Sequence, residues 1–272
     1  MTPPAAPSAG PPPAAPKPDL VIKNVSKSFG GIRAIRDISI EVPPGEVTCL
    51  VGPNGAGKTT LFNLITGVMR PDSGSISYGT IELTKRSLAQ IVRLGIARSF
   101  QDVRLFESLT VLENVEVGVS GAAGRSLAGS ILWPRWYLAR RRTLLPNAQA
   151  ILERVGLQDR ARTVAADLSL AEKKLLAVAR LLATNAQMLL LDEPLAGLDD
   201  ASSTGILDVL HGLAADGRGV LLIEHNFDVV RALSDRAVFL SEGGVVFVGK
   251  PEEITAQTDL SRLYFGESRA AP

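Results

Sequence analysis

The sequence predicts an α/β fold with a mostly parallel sheet core, an N-terminal antiparallel β layer and an inserted α-helical subdomain. Short apolar runs at Glu46–Val51, Met188–Leu191 and Val220–Ile223 are typical of buried strands in a parallel sheet. Residues 20–42 instead alternate between apolar and polar side chains around a Gly-Gly turn, which indicates an antiparallel hairpin. Helical spacing recurs at Leu88–Leu94, Glu113–Val119, Ala148–Val155 and Ala171–Ala183, and the helical subdomain is predicted at about residues 86–182.

The composition is typical of a globular protein, and its acidic and basic residues are nearly balanced. Its 272 residues, 46% of them hydrophobic, suit one large domain. The formal net charge of +1 gives no argument for a nucleic-acid partner, and none is expected. Cys49 is predicted to lie in the core. Because it is the single cysteine, no disulfide can form within one chain. No uninterrupted apolar run approaches the roughly 20 residues of a membrane helix, so a membrane role would require a partner.

The ends of the chain are expected to lie outside the main domain. Residues 1–18 are mostly Pro, Ala, Ser and Gly, which predicts a disordered extension. The domain itself is expected to span residues 19–267, with a short helical segment near Tyr264 and a tail at residues 268–272.

The segment Gly52–Thr60 reads G-P-N-G-A-G-K-T-T and fits the phosphate-binding pattern G-x-x-x-x-G-K-[ST]. Its glycines allow backbone N–H groups to turn towards one anion, and the helix predicted at Lys58–Met69 adds its positive dipole end. Lys58 can reach the β- and γ-phosphates of a nucleotide, and the Thr59 hydroxyl can complete a Mg²⁺ shell. The candidate phosphate-binding residues are Gly52, Pro53, Asn54, Gly55, Ala56, Gly57, Lys58, Thr59 and Thr60.

Acidic residues and a histidine follow the two later apolar strands. Asp192 and Glu193 come directly after one strand, and His225 follows the other. Open α/β sheets bind ligands at the carboxyl ends of their strands, so these side chains are expected at one site. Asp192 suits Mg²⁺ coordination, directly or through water, and Glu193 suits a general base or an orienter of attacking water.

Three further positions are ambiguous when judged from the residues alone. Phe29 is either a hairpin core residue or an aromatic face stacked on adenine. Gln101 follows a short β-like segment, and by itself this position indicates little. Ser169 is a predicted helix N-cap whose capping box is completed by Glu172, which any well-capped helix shows.

An unusual stretch from Val117 to Leu152 has no acidic residue but contains five arginines. Trp133, Trp136 and Tyr137 lie in it. One interpretation is a solvated basic loop and helix whose aromatic side chains pack on the body of the protein. The other is a docking surface near lipid headgroups or a membrane partner, since Trp and Tyr favour the interface.

Taken in order, these elements resemble the nucleotide-binding subunit of an ATP-binding cassette (ABC) transporter over about Asp19 to Glu267. The matching positions are Gly52–Thr60 (Walker A), Gln101 (Q-loop), Leu168–Glu172 (signature), Leu189–Glu193 (Walker B), Leu198-Asp199 (D-loop) and His225 (switch histidine). The resemblance implies a P-loop NTPase with a RecA-like core that binds ATP and Mg²⁺ and hydrolyses ATP.

The resemblance also assigns roles and partners. Two such subunits would face each other head to tail, with ATP between Walker A of one and the signature of the other. Thr59, Gln101 and Asp192 would address Mg²⁺, and Phe29 would stack on adenine. The residues expected to complete the nucleotide site are Ser169, Leu170, Ala171, Glu172 and Asp199. Expected partners are a second ABC ATPase subunit, identical or different, two membrane permeases and an extracytoplasmic solute-binding protein, at the cytoplasmic face of the inner membrane.

The signature departs from the family pattern L-S-G-G-Q, because this chain reads Leu168-Ser169-Leu170-Ala171-Glu172. Both glycines are replaced, so Cβ atoms enter where backbone approaches phosphate closely. Glu172 adds a negative charge beside that anion. We therefore expect the site completed by this signature to be weakened.

Among ABC subunits, the chain is most similar to the ATPases of branched-chain amino acid importers. The similar stretches are Gly95–Phe106, Leu109–Val115 and Val220–His225. Importers of urea or other small organic solutes share these features. The residues are also compatible with a lipid or drug exporter, a non-transport ABC ATPase or a catalytically weak regulatory subunit.

Overall fold

The computed structural model describes residues 18–99, 105–120 and 134–256 of the chain. Its first layer is a four-stranded antiparallel sheet with strand order β2-β1-β4-β5. These strands are β1 (Leu20–Phe29), β2 (Ile32–Val42), β4 (Ser73–Tyr78) and β5 (Ile81–Glu82). The predicted hairpin is thus present, and its alternating apolar residues are buried on one face of the sheet.

The second layer is a six-stranded sheet with strand order β10-β9-β3-β8-β7-β6. Its strands are β3 (Val47–Val51), β6 (Ile96–Arg98), β7 (Met188–Asp192), β8 (Gly219–Ile223), β9 (Arg236–Ser241) and β10 (Gly244–Gly249). Among the strand pairs described in this sheet, only β9–β10 is antiparallel. Every residue of β3, β7 and β8 is buried, which explains why these strands read as apolar runs without alternation.

Helices cover this central sheet and build the segment before β7. They are α1 (Lys58–Ile65), α2 (Leu88–Arg93), α3 (Val111–Ser120), α4 (Pro134–Arg154), α5 (Leu170–Leu182), α6 (Asp200–Ala215), α7 (Phe227–Leu233) and α8 (Pro251–Ala256). Short 3₁₀ turns occupy Gln158–Arg160 and Ala165–Asp167 between α4 and α5. Of the helices in the described ranges, none is long and apolar enough to cross a membrane.

The core has two parts, one on each face of the central sheet. Leu190 and Leu221 contribute to the part shared with the antiparallel sheet and α1, where Phe62 is fully buried. Leu189 and Leu222 belong to the part shared with α3 to α7. Cys49 lies in this second part and is fully buried, as expected, and its burial raises the pKa of the thiol well above the ordinary value. The alternation of successive residues between two cores fixes the register of the sheet.

Helices α1, α4, α7 and α8 differ from the sequence prediction: α4 begins well before the predicted start at Ala148, and α8 was not predicted. The helix predicted to reach Met69 ends at Ile65, and the Thr66 hydroxyl donates to the Phe62 carbonyl oxygen at 2.8 Å. Gly67 follows with φ at 69°, and a Cβ there would lie 2.7 Å from the Arg86 carbonyl oxygen. Helix α7 was not predicted, although Asn226 caps its first turn by accepting a hydrogen bond from the Asp228 N–H at 3.0 Å.

Three expectations fall on parts of the chain outside the described residues. The first is the N-terminal extension, of which only residue 18 is described, and the second is the helical segment near Tyr264. The third is Gln101, which lies in the undescribed interval 100–104.

Candidate functional site

The loop after β3 is shaped by glycines at which backbone from other strands lies close. Gly52 has φ at 143°, and a Cβ there would overlap the carbonyl oxygen of Leu240 on β9. Gly57 has φ at 100°, and its Cβ would lie 2.6 Å from the carbonyl oxygen of Ala34 on β2. Gly52 and Gly57 are therefore required by the close packing of the loop against β9 and β2. The approach of an anion to the loop backbone is a second reason for glycine in this pattern. The tip at Gly55 is exposed, with no atom near its Cβ position.

Helix α1 presents a positive N-terminus to this loop. No side chain caps its first turn, and that turn contains no acidic residue. The Lys58 ammonium group donates hydrogen bonds to the carbonyl oxygens of Gly52 at 2.6 Å and Pro53 at 2.9 Å. Burial lowers the pKa of Lys58, and the negative charges of Glu193 and Asp192 oppose that shift. The predicted phosphate loop, its lysine and the two carboxylates thus lie together at one edge of the sheet.

Asp192 ends β7 and is 7% exposed. Its Oδ2 accepts a hydrogen bond from Arg98 Nη2 at 3.1 Å, and its backbone N–H donates to Ser99 Oγ at 3.1 Å. The same guanidinium donates from Nη1 to Asn63 Oδ1 at 2.6 Å and lies 5.3 Å from the centroid of the Phe62 ring. Arg98 was not predicted as a site residue. The signal available in the sequence was a charged residue at the end of a short β-like segment.

Glu193 and His225 are brought together as predicted. Glu193 Oε1 lies 3.5 Å from His225 Nδ1, with side-chain exposures of 25% and 62%. The backbone of Glu193 is left-handed, with φ at 49°, and its N–H donates to the Ile223 carbonyl oxygen at 3.0 Å. A non-glycine residue in this conformation is strained and depends on its surroundings to hold it.

Two buried ionisable residues support this turn, and neither was predicted to have a role. Lys174 on α5 is 9% exposed, and its ammonium group donates to the Glu193 carbonyl oxygen at 3.2 Å. Burial lowers the pKa of Lys174, opposed by the charges of Glu224 and Glu193. Glu224 is 2% exposed and accepts a hydrogen bond from the Leu195 N–H at 3.2 Å. Burial raises the pKa of this carboxyl.

The altered signature lies at the start of α5 and forms the predicted capping box. Ser169 Oγ accepts from the Glu172 N–H at 3.3 Å, and Glu172 Oε2 accepts from the Ser169 N–H at 2.9 Å. The other oxygen of Glu172 accepts from Arg160 Nε at 2.8 Å. The hydrogen bond from the Ser169 N–H is the largest cause that lowers the pKa of Glu172, and the Arg160 guanidinium lowers it further. The negative charge introduced at this position is therefore paired within the chain. Leu170 is 46% exposed and packs near Gly197.

The other predicted positions lie around this edge. Phe29 ends β1 with 43% of its surface exposed, and Lys27 Nζ lies 5.6 Å from its ring centroid. Lys27 is in turn held by Asp72 at 2.6 Å. Asp199 caps α6 by accepting from the Ser202 N–H at 2.8 Å, a local role that lowers its pKa. In the basic and aromatic stretch, α4 is described, but the side chains of Trp133, Trp136 and Tyr137 are outside the described set.

Comparisons with known proteins agree with these features. The family model for ABC transporters matches residues 35–196, more than half of the chain. The high-affinity branched-chain amino acid transport ATP-binding protein LivG of Salmonella typhimurium is 35% identical over 253 residues, covering 93% of this chain and 99% of LivG. The ribose import ATP-binding protein RbsA 1 of Rhizobium meliloti is 36% identical over 252 residues. That match covers 93% of this chain, which spans about half of the ribose protein, 48% of its length.

Solved structures give the same result. A nucleotide-free ATP-binding cassette from an ABC transporter aligns with a TM-score of 0.80 and 31% identity, covering 92% of this chain and 100% of that one. A dimeric ATP-binding cassette in a post-hydrolysis state, bound to ADP and Pi, aligns with a TM-score of 0.70 and 26% identity, covering 85% and 98%. The predicted α/β fold and the predicted family are therefore confirmed: the chain belongs to the ABC transporter family, as an ATP-binding cassette with ATPase activity.

Proposed function

We propose that this chain is the ATP-hydrolysing subunit of an ABC importer and couples hydrolysis to the uptake of a small solute. The observation that carries the proposal is the pairing of Glu193 with His225 at 3.5 Å, beside the carboxylate of Asp192 and the lysine of the phosphate loop. This arrangement combines a phosphate cradle with a base and a switch histidine. Both the LivG and the RbsA relatives are named for import or transport of a solute.

In the proposed mechanism, loop N–H groups and Lys58 bind the β- and γ-phosphates of ATP. Glu193 orients a water molecule for attack on the γ-phosphate and accepts its proton, and His225 holds the γ-phosphate from the next strand. Phe29 stacks on adenine.

The residues present fit a Mg²⁺ ion bound together with ATP. Asp192 supplies a carboxylate at the strand end, the exposed Thr59 supplies a hydroxyl at the start of α1, and Gln101 is the third proposed ligand. Mg²⁺ is bound in such sites by one or two carboxylates plus substrate phosphates, and it would neutralise charge on the phosphates.

We propose that the chain works as a dimer with a second ABC ATPase subunit, identical or different. Ser169 and Glu172 would then face the nucleotide of the partner subunit, with Leu170, Ala171 and Asp199 nearby. Dimeric structures among the similar cassettes support this arrangement. The proposed further partners are two membrane permeases and an extracytoplasmic solute-binding protein, which place the chain peripherally at the cytoplasmic face of the inner membrane.

For the solute, we propose branched-chain amino acids. The identities to LivG and RbsA 1 are nearly equal, so identity does not separate an amino acid from ribose. The amino acid is favoured by the stretches Gly95–Phe106, Leu109–Val115 and Val220–His225, which are similar to those of branched-chain amino acid importer ATPases. Ribose is the second candidate on the basis of the same identity. Urea and other small organic solutes are the remaining candidates.

The test is affinity purification of the chain from its native membranes, followed by mass spectrometry of the co-purified proteins. Two permeases, a second cassette and a solute-binding protein are expected. The purified binding protein is then titrated with leucine, ribose and urea, and tight binding of leucine alone is the expected result. Permeases without a binding protein would indicate an exporter. Ribosomes or DNA in place of membrane subunits would show that the transport assignment is wrong.

A further inference from the structure

Arg98 connects α1 and β7, which carry two of the three proposed metal ligands, Thr59 and Asp192. It ends β6 and is 9% exposed at its side chain, and its guanidinium reaches both α1 and β7. On α1 it donates to Asn63 Oδ1 at 2.6 Å and lies over the ring of Phe62. On β7 it donates to Asp192 Oδ2 at 3.1 Å, and that carboxylate is 7% exposed.

The contact to Asn63 bears on Thr59 through the geometry of the helix. Thr59 and Asn63 are four residues apart on α1. Residues four apart lie on the same helical face, one turn from each other. A guanidinium that holds Asn63 and Asp192 at the same time therefore fixes the helical face bearing Thr59 relative to the carboxylate that ends β7.

This connection depends on arginine in particular. A guanidinium carries its N–H donors on a rigid planar fork, so one group can bind an amide oxygen and a carboxylate in different directions. It can also stack on an aromatic ring, as it does on Phe62. A lysine keeps the positive charge but has a single ammonium on a flexible chain, and it loses the fixed spacing between the two acceptors.

We propose that Arg98 is a positioning residue for the metal–nucleotide site: it holds the Asp192 carboxylate and the Thr59 face of α1 at the separation required to bind one Mg²⁺ ion. The inference rests on the proposed Mg²⁺–ATP function and adds a residue to it. Groups that orient metal ligands typically change metal affinity by about 10- to 100-fold when they are replaced. The competing explanation is that the buried ion pair serves folding alone.

The experiment measures nucleotide binding by the purified full-length chain, using a fluorescent ATP analogue with EDTA and across a Mg²⁺ titration. In Arg98→Lys, the Mg²⁺ concentration at half-maximal binding is expected to rise by about tenfold. Affinity in EDTA is expected to stay within about twofold, because Lys58 and the loop N–H groups are unchanged. Asn63→Ala removes the α1 half of the connection and keeps the Asp192 half, so a smaller rise is expected.

The matched control is Arg218→Lys. Arg218 is also a partly buried arginine, paired with Asp216 at 3.5 Å and bonded to the Ala186 carbonyl oxygen at 3.1 Å, but it lies away from the nucleotide edge. Its Mg²⁺ titration should match the wild type. Thermal melts of all three variants report any loss of folding.

Two outcomes would overturn the inference alone. One is an Arg98→Lys or Asn63→Ala titration that matches the wild type. The other is an equal loss of affinity with and without Mg²⁺, which would assign the ion pair a structural role only. A wild-type chain whose nucleotide binding is insensitive to Mg²⁺ would overturn the proposed metal function as well, so the two failures are distinguishable.

Discussion

The pairing of Glu172 with Arg160 makes the altered signature testable by a charge cycle. In the proposed dimer, Glu172 faces the phosphates bound by the partner subunit. Its charge is partly offset by Arg160 Nε at 2.8 Å, on a side chain that is 57% exposed. Glu172→Gln removes the negative charge and keeps a capping-box residue, whereas Arg160→Gln leaves that charge without its arginine. The two substitutions should therefore change ATP turnover in opposite directions.

The magnitude follows from the exposure of the pair. Partly exposed charge pairs contribute about 0.2–1 kcal/mol, because solvent screens them. Applied to the barrier for hydrolysis, this range corresponds to a rate change of about 1.4- to 5-fold. Turnover is expected to rise by this factor in Glu172→Gln and to fall by it in Arg160→Gln. In the double variant, Arg160→Gln is expected not to lower turnover below that of Glu172→Gln, because Arg160 acts through the charge of Glu172.

Restoring the whole family pattern should raise turnover further, at a cost in stability. Leu170→Gly and Ala171→Gly each remove a better helix former from the first turn of α5, at about 1 kcal/mol apiece. For a chain of this size, about 2 kcal/mol lowers the melting temperature by about 4–8 °C. The triple variant with Glu172→Gln is therefore expected to hydrolyse ATP faster and to melt earlier than the wild type.

The assay is phosphate release by the assembled transporter, with differential scanning fluorimetry of the isolated chain. Arg162→Gln is the matched control, since this arginine lies two residues from Arg160 and should leave turnover unchanged. Unchanged rates in the triple variant would refute the expectation of a weakened site. A rise in Arg160→Gln would refute the electrostatic argument itself.

Three further predictions concern single residues. Phe29→Ala should weaken ATP binding at least fivefold, because it removes about 1–3 kcal/mol of base stacking. Ile32→Ala, at an exposed position of the same hairpin, should leave ATP binding unchanged, and calorimetry measures both affinities. Glu193→Gln should lower turnover by about 100-fold or more and retain ATP binding, as measured by phosphate release and calorimetry. Because the pKa of Glu224 is raised above 4.5 in the fold, the contribution of this residue to the free energy of unfolding should fall as the pH rises from 4.5 through its folded pKa. The melting temperature of Glu224→Gln relative to wild type should therefore be higher at about pH 8 than at about pH 5, and a pH-independent difference would contradict this.

Local patterns explain which features the sequence could predict. The phosphate loop, the strand ending at Asp192 and the Ser169 capping box each depend on residues within a short segment of chain. Their geometry is set by backbone sterics and local hydrogen bonds, which the residue types report directly. The meeting of Glu193 and His225 was also predictable, because parallel strands end at the same edge of a sheet.

The contacts that were missed join residues far apart in the chain. Arg98 and Asp192 are 94 positions apart, and Glu224 reaches the Leu195 N–H across 29 positions. No periodicity or spacing encodes such pairs, which depend on strand order and on which side chains the sheet brings together. The early end of α1 has a local signal in Gly67, whose left-handed backbone does not continue the helix, and only the close approach of Arg86 from a later loop could not be predicted.

The backbone of Glu193 connects the ATP site that this chain builds itself with the signature helix, α5, that it is proposed to present to the nucleotide of its partner subunit. A left-handed non-glycine residue costs about 1–3 kcal/mol and persists only where its surroundings hold it. Here the Ile223 carbonyl oxygen accepts from its N–H, and the buried Lys174 ammonium donates to its carbonyl oxygen. A hydrogen bond from a charged group contributes about 1.5–3 kcal/mol, which is comparable to the strain. The Ala196 N–H also donates to this carbonyl oxygen, at 3.2 Å. Lys174 lies on α5, five residues after Ser169, so a displacement of the signature helix that breaks the Lys174 bond removes the one charged hydrogen bond described among those that hold the backbone of the proposed base.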